Sequence, residues 1–100
     1  MNIDFEEINN SLFENSKVTI IVEKRGGKRF ITNVIGMAED LDLNKILSYL
    51  KKKHNCSGSI LKDEKFGEIM SFTGDQKENI YNFLVNEEIC DKEDIIIKGV

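Results

Sequence analysis

The sequence predicts a two-layer α+β domain of order ββαββαβ, in which five strands form one sheet and both helices pack on the same face of it. Three observations carry this reading. Five short runs are rich in β-formers, and the clearest of them alternates inward and outward positions. Two longer segments repeat apolar residues with helical spacing. The chain has 100 residues, 40% of them hydrophobic and 32% charged, which is enough for one core and too little for two.

The first strand is "KVTIIVEK", residues 17–24, with Val18, Ile20 and Val22 on one side and Thr19, Ile21 and Glu23 on the other. A second β-rich run, "RFITNVIG", follows at 29–36, with Phe30, Ile31, Val34 and Ile35. Gly26 and Gly27 between them take positive φ without strain, so the two strands form a hairpin with a tight projecting tip. The first helix is expected over 38–55, "AEDLDLNKILSYLKKKHN". Glu39, Asp40 and Asp42 gather at its start and Lys51, Lys52 and Lys53 at its end, both in accord with the helix dipole. Leu43, Ile46, Leu47 and Leu50 form the inward stripe, which leaves Lys45, Ser48, Tyr49 and Lys52 on the opposite face and Lys53 to one side.

"CSGSILK" (56–62) and "GEIMSFT" (67–73) are the third and fourth strands, joined by a second hairpin loop, "DEKF". The second helix is expected over 74–88, "GDQKENIYNFLVNEE", with Asp75 as its cap and Glu78 at capping-box spacing. Ile80, Phe83 and Leu84 are its buried stripe, and "DIIIKGV" closes the chain as a short strand. Residues 1–16 show neither periodicity and are expected to be a mostly disordered acidic tail, leaving 17–100 as the folded domain.

Charge is unevenly distributed. The formal net charge is -4, and Asp4, Glu6, Glu7 and Glu14 in the tail account for it, because the rest of the chain balances. Within that balanced body, Lys24, Arg25, Lys28, Arg29, Lys45, Lys51, Lys52 and Lys53 crowd into residues 24–53. Residues 87–94 hold Glu87, Glu88, Asp91, Glu93 and Asp94 against Lys92 alone. A polarised surface of this kind suits a polyanion partner, because binding follows local potential rather than net charge. The hairpin tip and the first helix follow each other in the chain, so their cations are expected to share one surface that fits a phosphate backbone.

Enzyme and cofactor signatures are missing. No phosphate-binding glycine loop occurs, and His54, the one histidine, is explained by its place at a helix C-terminus beside lysines. Cys56 and Cys90 are 34 residues apart with no paired-cysteine motif, so metal binding is not expected and inert thiols are. No apolar run approaches a membrane span and no secretory leader is visible, so a cytoplasmic location without membrane contact is expected.

"GDQKENIYNFLV" resembles the Gly-Asp-Gln-Arg-x-Asn-Ile signature of the eukaryotic translation initiation factor one family, with Lys77 in place of the usual Arg. "VIGMAEDLDLNKILSYLKKKHNCSGSI" is similar to that family's helix segment running into a Cys-x-Gly strand start, and "FGEIMSFTGD" to its fourth strand. "EKRGGKRF" resembles its basic first loop. The resemblance covers about residues 17–100. It implies a five-stranded mixed sheet, a non-catalytic monomer without cofactor or metal, and binding to the small ribosomal subunit near the initiator tRNA, together with other initiation factors. The implied activity is promotion of scanning and start-codon selection.

Carried over by position, rRNA contacts would fall on Lys24, Arg25, Gly26, Gly27, Lys28 and Arg29, and on Lys45, Lys52 and Lys53. The loop Asp63, Glu64, Lys65 and Phe66 would lie towards the tRNA, and Gly74, Asp75, Gln76 and Lys77 would form the signature turn. Two other roles fit the same fold: a general RNA-binding module, and a docking module in re-initiation as in the related density-regulated factors.

Because the tail lacks any periodicity that would tie it to the core, deleting residues 1–16 is expected to change the melting temperature by less than about 4 °C. A larger drop in a thermal melt would show that Leu12 or Phe13 packs on the body.

Overall fold

The computed structural model describes residues 18–99. The expected tail, 1–16, lies outside the described residues, as do Lys17 and Val100. Five strands appear in the expected order: β1 (Val18–Lys24), β2 (Phe30–Ile35), β3 (Gly58–Asp63), β4 (Gly67–Thr73) and β5 (Ile95–Gly99). Helix α1 (Leu43–His54) lies between β2 and β3, and α2 (Lys77–Asn86) between β4 and β5. They build one mixed sheet of order β3-β4-β2-β1-β5, in which only β1 and β5 run parallel. A 3₁₀ turn, Lys92–Asp94, leads into β5.

Strand alternation decides which face is covered. Val18 and Ile20 of β1, Val34 of β2, and Met70 and Phe72 of β4 are buried against Leu43, Leu47 and Leu50 of α1 and Ile80 and Leu84 of α2, and Val22 of β1 is buried as well. α1 lies over β3 and β4, and α2 over β1. Burying side chains of this size contributes about 1.5–3 kcal/mol each, and this shared face is the main source of stability. Ile46 and Phe83, expected in the inward stripes, are half-buried at the edges of the helix pair. Gly58 is where α1 hands over to the sheet. A Cβ there would lie 2.7 Å from the Ser71 carbonyl oxygen and 3.2 Å from Leu47 Cδ1. The glycine of the Cys-x-Gly motif therefore lets β3 approach β4 beneath the helix.

Both helices are shorter than the sequence pattern predicts. α1 begins at Leu43, not at Ala38, because Asp42 caps it: its backbone is extended, and its Oδ1 accepts from the Lys45 N–H at 3.2 Å. Glu39 and Asp40 thus precede the helix. At the other end Asn55 adopts the left-handed conformation, φ 53°, and closes the helix with its N–H on the Lys51 carbonyl. α2 begins at Lys77 with Gln76 in the cap position, so Asp75 lies before the cap and forms no capping box with Glu78.

What holds the start of α2 is Thr32. Its side chain occupies an inward position of β2 and is fully buried. Its Oγ1 donates to the Gly74 carbonyl at 2.7 Å and accepts from the Gln76 N–H at 2.9 Å. One hydroxyl therefore satisfies both a carbonyl and an N–H of a turn more than forty residues away in sequence.

Thr32→Val is expected to lower stability by about 1–3 kcal/mol, because it leaves both turn groups without a partner, whereas Thr32→Ser should cost less by keeping the hydroxyl. Urea unfolding of the two variants decides this. A larger loss for Thr32→Ser than for Thr32→Val would mean that the methyl group, not the hydroxyl, matters.

Candidate nucleic-acid interface

The hairpin tip is built by the backbone of residues 25–29. The Arg25 N–H donates to the Arg29 carbonyl at 2.9 Å, and the Arg29 N–H to the Gly26 carbonyl at 3.0 Å. Gly26 and Gly27 lie at φ 101° and 56°, where a side chain would be strained although no described residue comes within 4 Å of a Cβ at either position. The glycines thus shape the tip, and no described neighbour crowds it. Lys24, Arg25, Lys28 and Arg29 are all exposed around it. Arg25 is paired with Glu23 at 3.2 Å, an exposed contact that a phosphate could displace at little cost. Arg25, Lys28 and Arg29 rim a hollow of about 480 Å³ whose floor includes Phe30, Ile31 and Gly74.

Backbone bonds bring the rest of the site to the same end of the sheet. The Gly74 N–H donates to the Phe30 carbonyl at 2.7 Å, and the Thr73 N–H to the Ser57 carbonyl at 2.9 Å. The hairpin base, the signature turn and the residues just after α1 therefore form a continuous row. Lys52 and Lys53, exposed in the last turn of α1, stand at this end. Lys53 Nζ lies 5.6 Å from the centroid of the Tyr49 ring and donates to its Oη at 3.3 Å. Tyr49 in turn packs on Phe83 of α2 with ring centroids 5.4 Å apart. Sequence pattern placed Tyr49 on the exposed face of α1 with the lysines, as found, but gave no sign of its packing on Phe83.

Lys45 is not at this end. It lies in the first turn of α1, seven residues before Lys52 and so about 10 Å back along the axis, although on the same stripe. Lys51 is half-buried, and its ammonium acts on the Cys56 thiol. Burial pushes the Cys56 thiol up, partly offset by Lys51, and burial together with Asp94 and Asp91 pushes Cys90 up as well. Neither is a ready nucleophile at neutral pH.

The signature turn is occupied with itself. Lys77 Nζ donates to Asp75 Oδ2 at 2.7 Å, and the Lys77 N–H donates to Asp75 Oδ1 at 3.3 Å. Gln76 Nε2 donates to the Thr73 carbonyl at 3.1 Å, and Gln76 Oε1 accepts from Asn79 Nδ2 at 2.8 Å. Gly74 supplies φ 86° at the bend. Through these contacts Gly74, Asp75, Gln76 and Lys77 start α2 and set it beside the hairpin base, which is a structural role.

The second hairpin loop stands at the far end of the sheet, one strand length, about 20 Å, from the basic tip. Asp63 Oδ2 accepts from the Lys65 and Phe66 N–H groups at 2.8 and 2.9 Å, so Asp63 holds the loop in shape. Glu64 is exposed, Phe66 is 50% exposed, and Lys65 Nζ lies 5.8 Å from the Phe66 ring centroid.

The family model described as "Translation initiation factor SUI1" matches residues 14–90. The chain belongs to this family. Its members are translation factors rather than enzymes. A protein translation factor SUI1 homolog of Salix bakko is 39% identical over 82 residues, covering 82% of this chain and 73% of that protein. The eukaryotic translation initiation factor eIF-1 of Saccharomyces cerevisiae is 37% identical over 82 residues, covering 82% and 76%. Among solved structures, the C-terminal domain of human eIF2D superposes with a TM-score of 0.72 at 18% identity, a likeness of fold. It covers 81% of this chain and 42% of the other. Among the described residues of this family member, no helix is long and apolar enough to cross a membrane.

Lys77 holds the Asp75 carboxyl below the usual carboxylate range, chiefly through their side-chain hydrogen bond. A lowered folded-state value stabilises the fold above the unfolded value, about 3.9, and the effect is lost as pH falls through the lowered one. Asp75→Asn is therefore expected to cost less than about 1 kcal/mol at pH 7, the pair being exposed, and the gap to the parent should narrow as pH falls below about 4. Thermal melts at pH 7 and pH 3 test this; a gap as large at pH 3 as at pH 7 would show that the loss does not come from the charge of Asp75.

Proposed function

We propose that this initiation factor binds the small ribosomal subunit near the initiator tRNA site, with the cationic end of its sheet against rRNA, and that it promotes scanning and start-codon selection. The observation that carries the reading is the gathering of Lys24, Arg25, Lys28, Arg29, Lys52 and Lys53 at one end of the sheet, around a glycine tip that no described neighbour crowds. RNA phosphates bind such a patch through charge and counterion release, without base readout. The tip is narrow enough to enter a crevice, and Lys52 and Lys53 contact the backbone beside it. Lys45 makes a weaker, more distant contact.

The mechanism is gatekeeping. With the cationic end on rRNA, the Asp63–Phe66 loop at the far end reaches towards the tRNA, and the exposed Glu64 repels its phosphates. Correct codon pairing draws the tRNA in and ejects the factor. Moderate affinity serves this cycle, and the acidic residues elsewhere on the chain keep it from binding RNA indiscriminately. Asp63 shapes the loop, so Glu64→Gln is the cleaner probe of repulsion; it should relax start-codon choice in a reporter assay.

Replacing Lys24, Arg25, Lys28 and Arg29 with alanine should weaken small-subunit binding and flatten the slope of log affinity against log salt by about two to four. The fold should survive, because all four side chains are exposed. Replacing Lys62, Lys65, Lys92 and Lys98 is the matched control. If the control weakens binding as much, the attraction is bulk charge and the local site fails. If neither change matters in co-sedimentation with purified small subunits, the subunit is not the partner.

A further inference from the structure

The end of the sheet opposite the basic tip carries a cleft of about 490 Å³, formed where β1 begins and where the β2–α1 and α2–β5 connections meet. Its floor is apolar, with Val18, Met37, Leu41 and Ile89. Its rim is acidic, with Glu39, Glu88 and Asp91 exposed on both sides. The volume lies in the range of clefts that hold ligand-sized groups. The apolar floor is what distinguishes this place from a solvated acidic edge.

Glu88 has an unusual position. α2 ends in a tight reversal, with the Ile89 N–H on the Leu84 carbonyl at 2.9 Å and the Glu88 N–H on the Val85 carbonyl at 3.1 Å. The residue in the left-handed conformation, φ 58°, is Glu88, where glycine or asparagine is usual. The reversal turns Ile89 into the floor and leaves the Glu88 carboxylate on the rim.

We propose that this cleft docks a protein segment in which bulky apolar residues are flanked by lysine or arginine. Charge complementarity selects that occupant. RNA is repelled by the rim. The chain's own residues 1–16 carry Asp4, Glu6, Glu7 and Glu14 and no Lys or Arg, so their charge does not complement the rim either. A basic segment meets a complementary field, and its apolar anchors pack on the half-buried Met37, Leu41 and Ile89 of the floor. Because the cleft is one strand length from the basic tip, such a partner binds while the tip is engaged on RNA.

The test uses the full chain and a short fluorescein-labelled peptide with two leucines and a phenylalanine at helical spacing and four lysines between them. A companion peptide has glutamate in place of each lysine. Fluorescence polarisation at low salt should show saturable binding of the lysine peptide, with Kd on the order of 10–100 µM, and none of the glutamate peptide. Glu88→Lys combined with Asp91→Lys should weaken binding at least about tenfold. Should that pair fail to fold, Glu88→Gly with Asp91→Asn keeps the reversal, and binding should weaken in the same direction. The alanine variant of the four tip cations should bind like the parent. Equal binding of the two peptides, indifference to the rim variants, loss in the tip variant, or no saturation up to about 1 mM would each overturn the proposal.

Discussion

The buried hydroxyl of Thr32 is the contact on which the arrangement of this molecule depends. By serving the Gly74 carbonyl and the Gln76 N–H together, it anchors the first residues of α2 to the second strand. The Gly74 N–H on the Phe30 carbonyl extends the same junction to the base of the hairpin, and Thr73 on Ser57 extends it to the end of α1. Loop tip, signature turn and helix end are thereby held in one row. A buried polar group has high stakes, because its partners are costly to leave unpaired. This one joins two segments distant in sequence, and the cationic surface is assembled on the result.

The sheet also works as a separator of charge. Every loop at one end lies near cations: the hairpin tip, the last turn of α1 and the start of α2. At the other end lie the β2–α1 connection, the β3–β4 loop and the α2–β5 connection, where Glu39, Asp40, Asp42, Glu64, Glu87, Glu88 and Asp91 outnumber Lys45, Lys65 and Lys92. Asp42 at the cap of α1 and the lysines of its last turn match its dipole, so the helix reinforces the polarity. An acidic protein can in this way present a basic surface. The field at one end favours anions, and the field at the other disfavours them.

The family's most recognisable motif is structural here. Asp75, Gln76 and Lys77 spend their side chains on one another and on neighbouring backbone. Lysine in place of arginine suits this local pairing, since a single Nζ reaches Asp75 Oδ2 at 2.7 Å without the bidentate fork of a guanidinium. The turn matters to the surface because it positions α2 and the hairpin base.

Local pattern was enough to read the element order. Alternation in β1, the glycine pair at the tip, helical spacing in α1 and α2, and the recurring β-rich runs all express short-range sterics and the one-sided burial of each element. The cations of the tip were legible for the same reason: they flank a turn whose geometry is local. Capping was less so. Asp42 and Asp75 look alike in sequence, yet one caps its helix while the other lies one residue before the cap and pairs with Lys77. The sheet order, the parallel pairing of β1 with β5, and the placing of Lys52 and Lys53 but not Lys45 beside the tip arose only from packing. The acidic cleft did too, for its floor and rim come from β1, the β2–α1 connection and the α2–β5 connection. Periodicity determines which face of each element is buried. Which elements then meet, and which charges they bring together, depends on long-range contacts that no local spacing encodes.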